Sequence, residues 1–166
     1  GYDGALIKGI REALKSNFDI FLTLDADGQH PPNLIPDFID CCRKKNYFVV
    51  LGTRKFYPRV SEKIFNFYTS YFHNIPDVLC GMKAYSKEFL TSIDLEKSFK
   101  SIGTYITLEA SRRNLKIKKI NVEILPRSNG NARFGLGAST ELKLLKALFI
   151  CIISDVKNLL FVKLFP

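Results

Sequence analysis

Leu22-Thr23-Leu24-Asp25-Ala26-Asp27-Gly28-Gln29-His30 is the stretch on which the reading of this chain turns. It closes the apolar run Ile20-Phe21-Leu22-Thr23-Leu24 with two acids separated by one residue. A short apolar run of this kind suits a strand buried on both faces of a parallel sheet. Ligands of open α/β sheets gather outside the carboxyl ends of such strands. Two carboxylates this close repel each other unless a positive charge lies between them. A hard divalent cation with oxygen ligands answers that repulsion and can share its open positions with a diphosphate. Gln29 offers a neutral carbonyl oxygen on the side of Asp25 and Asp27 if the backbone stays extended. An isolated Asp-x-Asp is also a common polar turn or helix cap. Its place at the end of a buried strand favours the metal reading.

Outward from this turn, apolar residues recur at helical spacing over Gly4 to Asn17 before it and over Asn33 to Lys45 after it, beyond the block made by Pro31-Pro32. Phe48 to Gly52 reads as a second buried strand, and Ser61 to Phe72 as a strongly aromatic helix. A loop with Pro76 and Gly81 leads to a helix near Lys87 to Ile93, then a helix over Tyr105 to Asn114 and a strand over Lys116 to Leu125. A glycine-containing loop from Gly130 to Gly137 precedes a long apolar helix from Thr140 to Phe165. Strands and helices alternate, which predicts an α/β fold with a mostly parallel sheet flanked by helices. The division expected is residues 1–138 as the catalytic portion and 139–166 as an amphipathic, juxtamembrane helix.

Composition narrows the partners. A chain of 166 residues, 46% of them hydrophobic, can bury a core of its own. Its net charge of +9 attracts anions, but the Lys and Arg residues are dispersed. That pattern favours small phosphates or a membrane surface over a long nucleic-acid track, and no nucleic-acid partner is expected. None of the 4 cysteines forms a C-x-x-C pair, so reduced, buried thiols are the plain expectation.

Two other metal motifs begin in the same way. A calcium loop opening at Asp25 needs glycine at its sixth position and glutamate at its twelfth, where His30 and Pro36 stand. A magnesium-dependent phosphohydrolase needs a later pair of acids, and no pair of aspartates follows Asp40.

The order of four blocks then becomes informative: Gly4-Ala5-Leu6 through Ile10; Leu24-Asp25-Ala26-Asp27-Gly28-Gln29-His30-Pro31-Pro32; Gly52-Thr53-Arg54; and Asp77-Val78-Leu79-Cys80-Gly81-Met82-Lys83-Ala84-Tyr85. A looser fifth is Arg127 to Phe134. Together they resemble family 2 glycosyltransferases of the GT-A fold, and among them the dolichol- or polyprenyl-phosphate mannosyl/glucosyltransferase branch. The resemblance implies a partial GT-A, Rossmann-like sheet that lacks the opening nucleotide-binding strands, as in an N-terminally truncated chain. It implies that Asp25, Asp27 and Gln29 hold Mg²⁺ or Mn²⁺ against a nucleotide-diphosphate sugar. Arg54, Arg127 and Arg133 would face the diphosphate or the acceptor phosphate, a task that the planar guanidinium suits. Arg59 and Ser61 lie where the branch has an arginine and a serine near the acceptor, at shorter spacing here, and Ala132 stands where Ser or Thr is frequent.

By the same resemblance the reaction is an inverting transfer of a hexose to a polyprenyl or dolichyl phosphate. Alternatives are a saccharide hydroxyl acceptor, for which Asp77 would take the proton, a phosphohydrolase, and a non-enzymatic basic membrane-surface module. Without the opening strands, the isolated chain is expected to bind nucleotide sugar poorly. The uncharged stretch Ala147 to Ser154 is too short to span a bilayer. With Lys143, Lys146, Lys157 and Lys163 around it, the last helix suits the cytoplasmic face of an anionic membrane.

Overall fold

The computed structural model describes residues 1–97, 101–126 and 137–164. Six helices and four strands are described: α1 (Tyr2–Leu14), β1 (Ile20–Thr23), α2 (Ile35–Lys45), β2 (Val49–Thr53), α3 (Val60–His73), β3 (Lys83–Ser86), α4 (Lys87–Thr91), α5 (Ile102–Arg112), β4 (Ile117–Asn121) and α6 (Ala138–Leu164). Asn46 and Asn74 close α2 and α3 in the left-handed conformation, with φ of 53° and 54°. Asparagine tolerates that conformation better than other residues with a side chain.

The strands form one sheet in the order β1-β3-β2-β4. β2 and β4 pair in parallel, whereas β3 runs antiparallel to both β1 and β2. Three strands therefore share a direction, and the fourth is wedged between them. The sequence gives no signal for β3, because its first residue is Lys83 and a lysine is read as exposed. Here Lys83 is 3% exposed, and its ammonium donates to the carbonyls of Val78, at 2.7 Å, and Gly103, at 3.0 Å.

All five residues of β2 are buried, and alternate side chains enter opposite layers. Val49 and Leu51 join Phe65, Phe89, Ile106 and Leu108 on the face covered by α3 and α5. Val50 joins Phe38, Cys41, Cys42 and Met82 on the face covered by α2. The four cysteines are free and buried, as their spacing implies. Gly52 has a packing reason: a Cβ there would lie 2.8 Å from Cys80 Sγ and 2.9 Å from the Met82 carbonyl oxygen.

The last helix is part of this body. Leu148 and Cys151 of α6 join the larger core cluster. Asp155 accepts hydrogen bonds from Tyr68 Oη at 2.7 Å and Arg112 Nε at 2.8 Å, and pairs with His73 Nε2 at 2.8 Å. Burial opposes its ionisation, but the bonds from His73, Tyr68 and Arg112 outweigh burial and lower its carboxyl to about 2. The folded value lies below the ordinary one. The stabilisation is therefore complete above the ordinary value of 3.8 and is lost as pH falls through about 2. At the other end of α6, Glu141 accepts from the Ser61 N–H at 2.8 Å. Among the described residues no helix is long and apolar enough to cross a membrane.

Candidate active site

The carboxyl ends of β1 and β2 open on a cleft of about 1830 Å³, lined among others by Asp25, Asp27, Gln29, Arg54, Lys143 and Lys146. A single small-molecule pocket measures roughly 300–1,000 Å³, so this cleft has room for two substrates.

Asp25 is placed by three neighbours. Its backbone N–H donates to His30 Nδ1 at 2.9 Å. His30 is 5% exposed, and its other ring nitrogen lies 3.9 Å from Cys80 Sγ. Burial lowers the imidazole pKa against the pull of Asp25 and Asp27, so the ring is neutral, accepting at Nδ1 and protonated at Nε2. Thr23 Oγ1 donates to the Gly81 carbonyl at 3.0 Å and so joins the end of β1 to the loop before β3. The Asp25 carboxylate then sits over Gly81: a Cβ on Gly81 would meet its two oxygens at 2.7 and 2.8 Å.

The backbone after Asp25 does not stay extended. Gly28 has a φ of 79°, and Asp27 Oδ1 accepts from the Gln29 N–H at 3.1 Å, which makes a tight turn. The alternation that would have put Gln29 beside both acids is thus replaced by a fold-back. Gln29 is held by the segment after β4, with the Leu125 N–H donating to its carbonyl at 2.9 Å. Asp25, Asp27 and Gln29 still line one cleft, and their donors are oxygens of the kind that Mg²⁺ and Mn²⁺ prefer. Among the described residues no group of three His, Cys, Asp or Glu side chains is gathered closely enough to form a complete metal cage. Two carboxylates that leave positions for substrate oxygens fit a metal carried in with a diphosphate better than a resident one.

Arg54 and Asp77 form a closed pair. Asp77 has no exposed surface, and its oxygens accept from Arg54 Nε at 2.8 Å, Arg54 Nη2 at 3.0 Å and the Arg54 backbone N–H at 3.0 Å. The Leu79 N–H approaches the same carboxylate at 3.3 Å. Burial works against the Arg54 charge, but the Asp77 bonds and the Glu62 carboxylate at 3.6 Å raise its pKa overall. Glu62 also pairs with Arg59, so a buried ladder of alternating charges underlies one side of the cleft. Arg54 reaches the cleft with Nε and Nη2 already committed, and Asp77 lies too deep to meet a sugar hydroxyl.

Ser61 lies in the fold's joint between two helices. It is 1% exposed, and its backbone N–H is spent on Glu141 at the joint between α3 and α6, outside the cleft lining. Arg127 and Arg133 lie outside the described residues. Sequence reasoning missed His30 as the support of Asp25, Glu62 beneath Arg54, and Lys143 and Lys146 as cleft residues. For His30 a signal existed in its place five residues after Asp25; for the others the pairing exists only in three dimensions. Lys83, also missed, ties the loop after Asp77 to the start of α5. Burial lowers its ammonium pKa to about 8 despite nearby Cys80 and Asp77.

Residues 1–93 match the model of Glycosyl transferase family 2. The chain is 26% identical over 157 residues to an undecaprenyl-phosphate mannosyltransferase of Micrococcus luteus, covering 85% of this chain and 63% of that protein. It is 27% identical to a dolichol-phosphate mannosyltransferase of Pyrococcus furiosus, covering 87% of this chain and 40% of that protein. A third relative, 28% identical, is a UDP-N-acetylglucosamine–dolichyl-phosphate N-acetylglucosaminyltransferase of Methanococcus voltae, with 76% and 54% covered. The chain therefore spans between 40% and 63% of the length of these relatives. Among solved structures, glucosyl-3-phosphoglycerate synthase from Mycobacterium tuberculosis bound to phosphoglyceric acid shares the fold, with a TM-score of 0.65 at 17% identity over 89% of this chain and 53% of that one. The same synthase with Mn²⁺, UDP and glucosyl-3-phosphoglycerate superposes with a TM-score of 0.61 at 15% identity, over 84% and 51%.

Proposed function

Because the chain belongs to glycosyl transferase family 2 and has the GT-A type of α/β fold, we propose that its cleft carries the metal and phosphate part of a hexose transfer. The donor is a nucleotide-diphosphate sugar and the acceptor a polyprenyl or dolichyl phosphate, with inversion at the anomeric carbon. The observation that carries this reading is the seating of the Asp25 carboxylate over Gly81, facing the same cleft as Asp27. The relatives from Micrococcus luteus, Pyrococcus furiosus and Methanococcus voltae, named for transfer to undecaprenyl or dolichyl phosphate, support the acceptor class. The synthase bound to Mn²⁺ and UDP supports the metal.

A divalent ion bound at Asp25 and Asp27 would offset the negative charge that builds on the leaving diphosphate. The chain's own residues prepare that place. His30 fixes the Asp25 backbone, Gly81 leaves the carboxylate its room, and Leu125 fixes the Gln29 turn. A phosphate monoester is already ionised at neutral pH, with a second pKa of about 6, so attack on the sugar needs no proton acceptor. The burial of Asp77 agrees with that requirement and speaks against a saccharide hydroxyl as acceptor. We assign Asp77 the positioning of Arg54. Titration of Mn²⁺ and a nucleoside diphosphate should give binding that requires the metal and weakens at least tenfold in Asp27→Ala. Diphosphate binding of equal strength in chelator would sink the reading.

The same proposal places the chain at the cytoplasmic face of a membrane. α3 leaves Phe67, Tyr71 and Phe72 between 64% and 76% exposed, and α6, which packs on it, exposes Phe149, Leu159 and Leu160. Lys143, Lys146 and Lys157 add positive charge to α6. Flotation with phosphatidylglycerol vesicles should recover the chain, and phosphatidylcholine vesicles should recover far less. Equal recovery from both, or none from either, counts against the membrane.

A further inference from the structure

α6 contributes to the lining of the cleft, and beyond Thr140 the residues that it contributes are of two kinds. Lys143, Leu144, Lys146, Ala147 and Ile150 all line the cleft, and their spacing of three and four places them along one side of the helix. The end nearer Ala138 is cationic, and the following turn is apolar.

We propose that this stripe is the site for an amphiphilic phosphate monoester. Lys143 and Lys146 take the phosphate, and Leu144, Ala147 and Ile150 take the first units of a branched hydrocarbon tail. The inference deepens the acceptor class proposed above by naming its binding residues on α6, but it does not depend on the metal.

Charge and shape both argue for it. Among the described residues no carboxylate lies within ion-pair distance of either lysine. Glu141, the acid nearest to them on α6, is engaged by the Ser61 N–H. Glu62, the acid on the facing helix, is engaged by Arg54 and Arg59. Two ammonium groups without acids of their own, at one end of a low-dielectric groove, concentrate anions there. A free nucleotide would gain nothing from the apolar turn that follows. An alcohol of the same chain length would gain nothing from the lysines. Only a ligand with both halves uses the whole stripe.

The test is calorimetric titration of the full chain with a short isoprenyl monophosphate in the presence of chelator. The wild-type chain should bind it, and the matching isoprenol should bind at least tenfold more weakly. The double substitution Lys143→Gln, Lys146→Gln should weaken the phosphate roughly tenfold to thirtyfold. Ile150→Asn should weaken it several-fold. Lys157→Gln, which changes the net charge of the same helix outside the cleft, should leave binding unchanged. Unaltered binding in the double variant, equal affinity for the isoprenol, or an equal loss in Lys157→Gln would overturn the assignment. Because chelator is present throughout, none of these outcomes touches the metal-dependent binding of nucleoside diphosphate. The two readings therefore fail separately.

Discussion

Asp77→Ala is expected to cost about 3–5 kcal/mol of stability, the usual consequence of removing one partner from a buried ion pair. The substitution strips Arg54 of its bidentate partner and of the bond that holds its own backbone N–H. Arg54 is only 17% exposed at its side chain, so water does not replace what is lost. Glu62 does not replace it either, because it stands 3.6 Å away and already pairs with Arg59. In a chain of this length the loss amounts to a fall in melting temperature on the order of 10 °C. Asp77→Asn, which keeps the shape and one acceptor oxygen, should fall between wild type and alanine. Replacing both partners with apolar residues, as in Arg54→Met with Asp77→Leu, should recover part of the loss, because no buried charge is then left alone. If instead Asp77→Asn melts like wild type while transfer is abolished, the residue is a proton acceptor and not a support for Arg54.

Gly81→Ala is expected to act on binding rather than on stability. The added methyl would fall within 2.9 Å of the Asp25 carboxyl carbon and nearer still to its two oxygens. The φ of Gly81 is not among the positive values, so its glycine is required for room and not for backbone freedom. Asp25 has a side-chain exposure of 47% and can swing away into solvent. The fold should lose roughly 1 kcal/mol or less, since exposed side chains away from the core carry little of it. Metal-dependent diphosphate binding should fall on the order of a hundredfold, because a displacement near 1 Å at a charged group is enough for that. Asp25→Ala should show the same pair of results. A Gly81→Ala chain that binds manganese and diphosphate like wild type would mean that Asp25 is not a ligand.

Strands β1 and β2 were legible because their apolar runs carry no charge. Helices α2, α3 and α5 were legible through their spacing, and the acidic turn through its place at the end of β1. β3 was not, since Lys83 breaks the apolar pattern and is buried only because Val78 and Gly103 offer it carbonyls. The antiparallel course of β3 follows from the same blind spot: a strand that is not seen cannot be given a direction. The sequence brought forward Asp77 and Arg54 as separate site residues, and only the fold shows that each satisfies the other across 23 positions. Ser61 was brought forward for its hydroxyl, and only the fold shows its backbone N–H, at the start of α3, bonded to Glu141. α6 was read as a surface helix from its lysines. Lys143 and Lys146 line the cleft and Lys157 does not, a partition that composition does not record.

The two attachments of α6, Glu141 at one end and Asp155 at the other, bear on how the cleft can change width. At about 1.5 Å of rise per residue they stand roughly 20 Å apart along the axis. A beam clasped at both ends does not peel open from either. Any widening that admits a bulky molecule must tilt α3 and α6 as a single hinged panel, or else release the upstream clasp while the downstream one serves as the pivot.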